Sequence, residues 1–329
     1  MYPHSKIYYR FVFMNIIKRI LRKIEWVVVG PKHSPPSNQV IAKNISSADY
    51  WTIHNVTSHN EFSSREDSVS YMNWRFDQYP GYEKLMPCSG FDNKTILDYG
   101  CGPGHDLVGF LEHSKPKKIM AMDVSSSSLA ETKKRIKLHP NNENVECILI
   151  KEKEPISIPE KSVDYIHSSG VLHHTPNMEE ILSQFHKILK DDGIIRIMVY
   201  NYNSIYAHLY VPYYLQMKKG IDNDLSFEDA FRRNTDGPNC PISNCYTPSQ
   251  YISICQKAGF KTTFKGASIS LHELDMLQYR HEAVANFKLN ETHRNFLKNL
   301  TFDSSLHPLY NGNVAGVDAV FELTKKLDK

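Results

Sequence analysis

The chain reads as an α/β protein built on a mostly parallel sheet with helices on both faces. Two observations predict this. Between about residues 93 and 201, apolar strand-like runs alternate with helical segments, and a turn with three glycines in five residues, within "ILDYGCGPGHD" (96–106), follows the first run. Strands that alternate with helices need crossover connections, and these produce parallel strands covered on both sides.

The elements follow in order. "TILDYG" is the first strand and leads into a helix from about His105 to His113. "KKIMAMDV" precedes a helix from about Ser126 to Leu138, and "VECILI" and "SVDYIHSS" are the next strands. A helix from about Met178 to Leu189 and the strand "GIIRIMVYN" complete the regular part. After Asn201 the rhythm breaks, and residues 203–245 look helical and loop-like, with the turn-rich "TDGPNCPIS". Thr247 as N-cap, Pro248 at the first position and Gly259 as the stop delimit a further helix. "FKTTFKGASI" is then a strand, residues 272–312 are expected to be largely helical, and "GVDAVFELT" is the last strand.

Three segments precede or interrupt this pattern. Residues 1–36 form a basic amphipathic helix and a Pro-rich linker, and residues 37–92 are an aromatic-rich N-terminal cap. Residues 93–329 form the main domain, with insertions at 203–245 and 272–312. The chain of 329 residues carries a net charge of +3, and the basic excess lies in residues 1–30 (Lys6, Arg10, Lys18, Arg19, Arg22 and Lys23 against Glu25). The body therefore offers no polybasic groove, and no nucleic-acid partner is expected. Residues 14–29 place Ile17, Ile20, Ile24 and Val27 on one face of a basic helix suited to peripheral contact with an anionic membrane surface. No signal peptide or membrane span is expected, and Met14 offers a second start. Six scattered cysteines form neither a disulfide framework nor a zinc pattern, which fits the cytoplasm and no metal.

The glycine turn narrows the ligand. A dinucleotide fingerprint wants a third glycine where His105 stands, and a P-loop wants a Gly-Lys-Ser/Thr ending that this turn lacks. Asp98, two residues before the first glycine, would repel a pyrophosphate but suits an ammonium group. S-adenosylmethionine carries an ammonium and no phosphate. Asp123 ends the second strand, where a carboxylate can accept both ribose hydroxyls, and Glu152 follows the third, within reach of an adenine amino group.

With these residues in view, the segment from about Asp49 to Tyr206 resembles the class I S-adenosylmethionine-dependent methyltransferases. "ILDYGCGPG" is similar to the family's first motif and "MDVS" to its second, while Glu152-Lys153-Glu154 departs from a common Asp-Ala-Glu-like third. "GVLHHTP", followed by a helix and a glycine turn, resembles a bacterial subgroup. The resemblance implies a Rossmann-like seven-stranded sheet, mostly parallel with an antiparallel last strand. It also makes the two insertions caps on the substrate side. The expected cofactor contacts are Asp98, Gly100, Gly102, Gly104, Asp123, Val124, Glu152 and Ser169.

Methyl transfer from a sulfonium needs alignment and exclusion of water, with a base only where the nucleophile must lose a proton. Ser168-Ser169-Gly170 stands where nucleobase amino-methylating relatives carry Asn/Asp-Pro-Pro-Tyr, which argues against that chemistry. His173 is the candidate base, facing the pocket, with His174 structural. Tyr200 and Asn201 border the substrate side. Tyr71, Trp74 and Arg75 could close over the cofactor, with Arg75 pairing to a carboxylate. The expected activity is methyl transfer to a small-molecule or glycan/lipid-precursor acceptor, at oxygen. The rivals are a non-catalytic S-adenosylmethionine-binding scaffold and, disfavoured by His105 and Asp98, a dinucleotide oxidoreductase.

Overall fold

Five parallel strands form the centre of the sheet. They are β1 (Thr95–Tyr99), β2 (Lys118–Asp123), β3 (Val145–Leu149), β4 (Val163–Ser169) and β5 (Leu189–Asn201). A computed structural model describes residues 45–55, 61–151 and 154–326 of the chain. The sheet order is β3-β2-β1-β4-β5-β11-β7, where β7 is Phe260–Ser268 and β11 is Asp318–Lys325. The last strand, β11, runs antiparallel to both neighbours, as the resemblance implies. The chain leaves β1 toward β2 and β3 and returns on the other side through β4 and β5. Order therefore reverses between β1 and β4, and ligands bind at the C-terminal edge of such a point.

Period-two alternation builds both faces. Ile96 and Ala121 pack with Leu107, Phe110 and Leu129 on one side, and Leu97, Met122 and Ile166 pack with Leu182 and Phe185 on the other. The covering helices keep close to their expected bounds: His105–His113, Ser126–Ile136, Met178–Ile188 and Pro248–Lys257. Thr247 caps the last in a reciprocal box with Gln250, with Pro248 following and Gly259 beyond the end at φ +89°.

Three details differ from expectation. A two-residue strand, Cys245–Tyr246 (β6), adds an eighth member by pairing parallel with the end of β5, Tyr200 opposite Cys245. The end of the 272–312 stretch, expected to be largely helical, instead begins a three-stranded antiparallel sheet of β8 (Thr301–Phe302), β9 (Pro308–Tyr310) and β10 (Asn313–Val314). Asn311 and Gly312 both take positive φ between its last two strands, the requirement of a two-residue type I′ hairpin. Residues Tyr206–Lys219 form a wide helix with i→i+5 bonding around Pro212, whose missing N–H and ring disfavour the tighter α-helical ladder.

Segments 203–245 and 272–312 share one core. Ile205, which precedes the wide helix, and Leu209 and Tyr213 within it pack with Met276, Phe296 and Leu297. The N-terminal helices Ser47–Ile53, Arg65–Gln78 and Tyr82–Leu85 add residues to the cavity described below. The basic helix expected at 14–29 and the linker at 30–38 lie outside the described residues. No helix among the described residues is long and apolar enough to cross a membrane.

Candidate active site

A cavity of about 520 Å³ opens at the C-terminal edge of β1, β4 and β5. That volume lies within the usual range of small-molecule sites, about 300–1,000 Å³.

One end is the glycine turn between β1 and the helix His105–His113. Gly100, Gly102 and Gly104 all have positive φ, at +76°, +53° and +76°. A Cβ on Gly100 would stand 2.2 Å from Val171 Cγ2, whereas one on Gly102, which lines the cavity, would meet no protein atom within 4 Å. The first glycine is thus needed by the protein, and the second leaves room for a guest. Gly100→Ala is expected to lose about 2–4 kcal/mol of stability through strain and overpacking. Gly102→Ala is expected to lose about 1–2 kcal/mol by left-handed strain alone. Thermal melts with and without S-adenosylhomocysteine check the pair, since only the Gly102 variant should stay folded yet forfeit most of the ligand-induced shift.

Carboxylates surround the turn. Asp98 is buried, lines the cavity and has an Oδ2 with no hydrogen-bond partner. Burial pushes its carboxyl up to about 7, with His167 pulling it down and Asp106 and Asp123 pushing it further up. Asp123 accepts the Gly102 N–H at 2.7 Å on one oxygen and the Ser125 N–H at 2.7 Å on the other. Burial raises its carboxyl, and the backbone donors from Ser125, Gly102 and Val124 oppose the rise. Each oxygen keeps a lone pair for a further donor. Val124, Ile150 and Ser169 also line the cavity, with the Ser169 hydroxyl 2.5 Å from Tyr82 Oη. Glu152 lies outside the described residues.

The helix Arg65–Gln78 is fastened to the turn by two buried networks. Arg75 pairs with Asp106 at 2.8 Å, and that carboxylate also takes Tyr82 Oη and His167 Nε2, each at 2.9 Å. Burial would raise the Asp106 carboxyl, but Arg75 and His167 together hold it far below the usual range. The carboxylate expected for Arg75 is therefore, in this structure, the protein's own. Arg135 donates to Ser68 Oγ (2.7 Å), Ser68 O (3.0 Å) and Pro103 O (3.3 Å), with His105 Nδ1 at 2.9 Å. Tyr71 stacks on His105 at 5.3 Å. His105, in the place of a fingerprint glycine, is thus a neutral acceptor for this clamp, burial and Arg75 holding its pKa well below the ordinary value. Arg135→Met removes charged hydrogen bonds and leaves buried acceptors, so a loss of about 2–3 kcal/mol is expected in urea unfolding.

The other end of the cavity carries Trp51, Tyr79, His174, Tyr200, Asp236 and Asp318. His173, the sequence-expected base, does not line it. Its ring is buried 4.0 Å from both Tyr200 and His174, and neither nitrogen has a hydrogen-bond partner. Burial, with His174 adding to it, holds its pKa well below the ordinary value. His174 reaches the cavity instead. The two lie in one short helical turn, Leu172–His174, whose orientation sends adjacent side chains in different directions. Ile242 O, which can only accept, lies 2.7 Å from His174 Nδ1 and so assigns the ring hydrogen there. The Nε2 lone pair is left free, 3.5 Å from Asp236 Oδ1. Asp236 is oriented by Tyr200 Oη (2.9 Å) and Ser243 Oγ (2.7 Å). Asn201, the other residue expected at this border, is buried and bonds backbone carbonyls of Asn203 and Gly316.

Asp236 lies in the turn-rich "TDGPNCPIS", and Asp318 begins the final strand; neither is among the residues expected at the site. Among the described cavity-lining residues the only Lys or Arg is Arg75, already paired with Asp106, so a pyrophosphate would find no unpaired cationic side chain there. The orphaned Asp98 oxygen and the open face at Gly102 fit a phosphate-free guest that carries an ammonium.

The methyltransferase domain family matches residues 74–263. The chain is 25% identical over 172 residues to a probable methyltransferase, ltbC, of Aspergillus luteorubrus, covering 50% of this chain and 56% of that protein. It is 30% identical over 182 residues to probable polyketide synthase 10 of Dictyostelium discoideum, covering 51% of this chain and 7% of that one. The chain thus spans little more than half the length, or less, of these curated relatives. Among solved structures it is similar to a SAM-dependent methyltransferase from Aquifex aeolicus, with a TM-score of 0.40 and 17% identity over 61% of this chain and 91% of that one.

Proposed function

Because the chain belongs to the methyltransferase domain family, we propose that it methylates a hydroxyl of a small-molecule acceptor. S-adenosylmethionine is the cofactor, and when bound it supplies a methyl group on a sulfonium, already activated for in-line displacement. The observation that carries the reading is Asp98 Oδ2, a buried carboxylate oxygen without a partner on the cavity wall. In this proposal Asp98 holds the cofactor's ammonium. The left-handed turn made by Gly100, Gly102 and Gly104 brings the backbone to it, with Gly102 leaving the space, and Asp123 takes the ribose hydroxyls. Val124 flanks the adenine, Glu152 reaches its amino group, and Ser169, held by Tyr82, lines the path to the acceptor.

His174 is the proposed base. Its Nδ1–H is committed to Ile242 O, so Nε2 can take the acceptor's proton, and Asp236 at 3.5 Å stabilises the imidazolium that forms. As a hydroxyl oxygen accepted the methyl, the C–S bonding pair would return to sulfur, leaving a thioether, and the hydroxyl proton would pass to His174 Nε2. His173 serves as packing behind that ring. An oxygen acceptor is favoured because a hydroxyl, unlike a neutral amine, needs such a base. We extend the acceptor class to glycan or lipid precursors on the basic segment 14–29, which would bring the protein to an anionic membrane surface.

Incubating the protein with cell extract and S-adenosylmethionine labelled in the methyl group tests the proposal. A labelled small molecule or lipid-linked product whose methyl is an ether is the expected result. Label in protein, in nucleic acid or on nitrogen would overturn the acceptor assignment. Flotation with phosphatidylglycerol vesicles tests the membrane contact, which requires the full chain to float and a chain starting at Ser37 to stay behind.

A further inference from the structure

The cavity wall carries more negative charge than the cofactor uses. Its described lining residues include five aspartates (Asp98, Asp106, Asp123, Asp236 and Asp318) against Arg75. Asp106 is matched by Arg75, and the proposed cofactor contacts account for Asp98 and Asp123. Asp236 and Asp318 remain, and both belong to the acceptor end. Asp318 sits opposite Tyr200 in the β5–β11 pair, three strands from Asp98 (β1-β4-β5-β11). At about 4.8 Å per strand that is roughly 14 Å, so Asp98 and Asp318 serve different parts of the cavity.

Asp236 is already occupied by Tyr200, Ser243 and the neighbouring His174. Asp318 is not. It is only 4% exposed, yet the single hydrogen bond its carboxylate accepts is from Ser268 Oγ at 3.5 Å, the outer limit of such a contact. Burial pushes its carboxyl up to about 7 against the pull of Arg75 and Ser268. A buried carboxylate facing a cavity is costly unless a cation or several donors meet it. Tyr79, also on the cavity wall and close enough to feel the Asp318 charge, adds an aromatic ring, a group that attracts cations. Anionic acceptors, phosphorylated or carboxylated beside the hydroxyl, would meet two aspartates and, among the described lining residues, no unpaired Lys or Arg.

We infer that the acceptor is an amino alcohol, or a larger molecule with that grouping, whose positively charged nitrogen lies against Asp318 and Tyr79 while its hydroxyl lies at His174. This rests on the methyltransferase reading and deepens it. The nitrogen stays a cation throughout, and the proton lost comes from the hydroxyl. Tyr200 links the two halves, since it pairs with Asp318 in the sheet and bonds Asp236 beside His174.

Isothermal titration of the full chain saturated with S-adenosylhomocysteine tests this with matched probes. Choline is compared with its uncharged isostere 3,3-dimethylbutan-1-ol, and 4-(aminomethyl)benzyl alcohol with 4-methylbenzyl alcohol. The charged member of at least one pair is expected to bind at least tenfold more tightly. Asp318→Asn should bring the members of that pair within about twofold, with S-adenosylhomocysteine affinity unchanged. Equal affinity within both pairs, or no binding of either cation up to millimolar concentration, overturns the inference even if the variant fails to fold, because those comparisons use the wild-type protein. Failure of S-adenosylhomocysteine itself to bind would overturn the methyltransferase reading, and this inference with it.

Discussion

Asp98→Asn is expected to weaken S-adenosylmethionine binding by about 30- to 150-fold, the equivalent of about 2–3 kcal/mol for losing one partner of a buried charge pair. The substitution keeps the shape of a side chain that is 3% exposed, so the fold should persist. The same residue dictates a pH dependence. Burial holds the Asp98 carboxyl up to about 7, so below that pH it keeps its proton and cannot pair with an ammonium. Affinity should therefore rise with pH to about 7, and fall again as the cofactor's α-amino group loses its proton near about 7.7–8.0. His167, Asp106, Asp123 and Arg75 all act on this carboxyl, but only its own removal should flatten the acid limb. Titrations of wild type and Asp98→Asn between pH 5.5 and 9 check both statements. An acid limb that survives in the variant would assign it to another group.

His174→Gln is expected to lower kcat by about 10²- to 10⁴-fold, the usual contribution of a positioned base. An amide can still donate toward Ile242 O, so the loss reflects the proton acceptor rather than the wall. KM for the acceptor should change by less than about threefold if ground-state binding is untouched. His173→Gln separates the neighbours, because it disturbs packing against Tyr200 and should cost stability more than rate. Steady-state kinetics with the acceptor recovered from the labelled extract, beside melting curves, distinguish the two. Equal rate losses in both variants would remove His174 from the chemistry.

What could be read from the residues was largely local or periodic. Strand alternation, the Thr247–Gln250 box and the glycine turn each depend on neighbours within a few residues, so their elements fall within a few residues of expectation. The choice between His173 and His174 did not. It depends on a carbonyl at Ile242, 68 residues away, that fixes which ring faces the cavity. Asp236 and Asp318 become one acceptor end only when β5 and β11 pair and the cap folds back, and no spacing announces that. The Asn311-Gly312 hairpin is different: its two-residue turn signature is local, and it lies at the end of the 272–312 stretch expected to be largely helical. Arg135 stands beside Lys133 and Lys134 in the sequence, and its burial follows from contact with Ser68 on the helix Arg65–Gln78.

Native mass spectrometry of the purified full chain, offered equimolar S-adenosylmethionine, S-adenosylhomocysteine and NAD, tests the central claim most directly. The cavity, with its orphaned Asp98 oxygen and no unpaired Lys or Arg among its described lining residues, predicts a single adduct with the mass of S-adenosylmethionine or S-adenosylhomocysteine and none with NAD. A folded protein that stays bare, or that carries the dinucleotide, would contradict it.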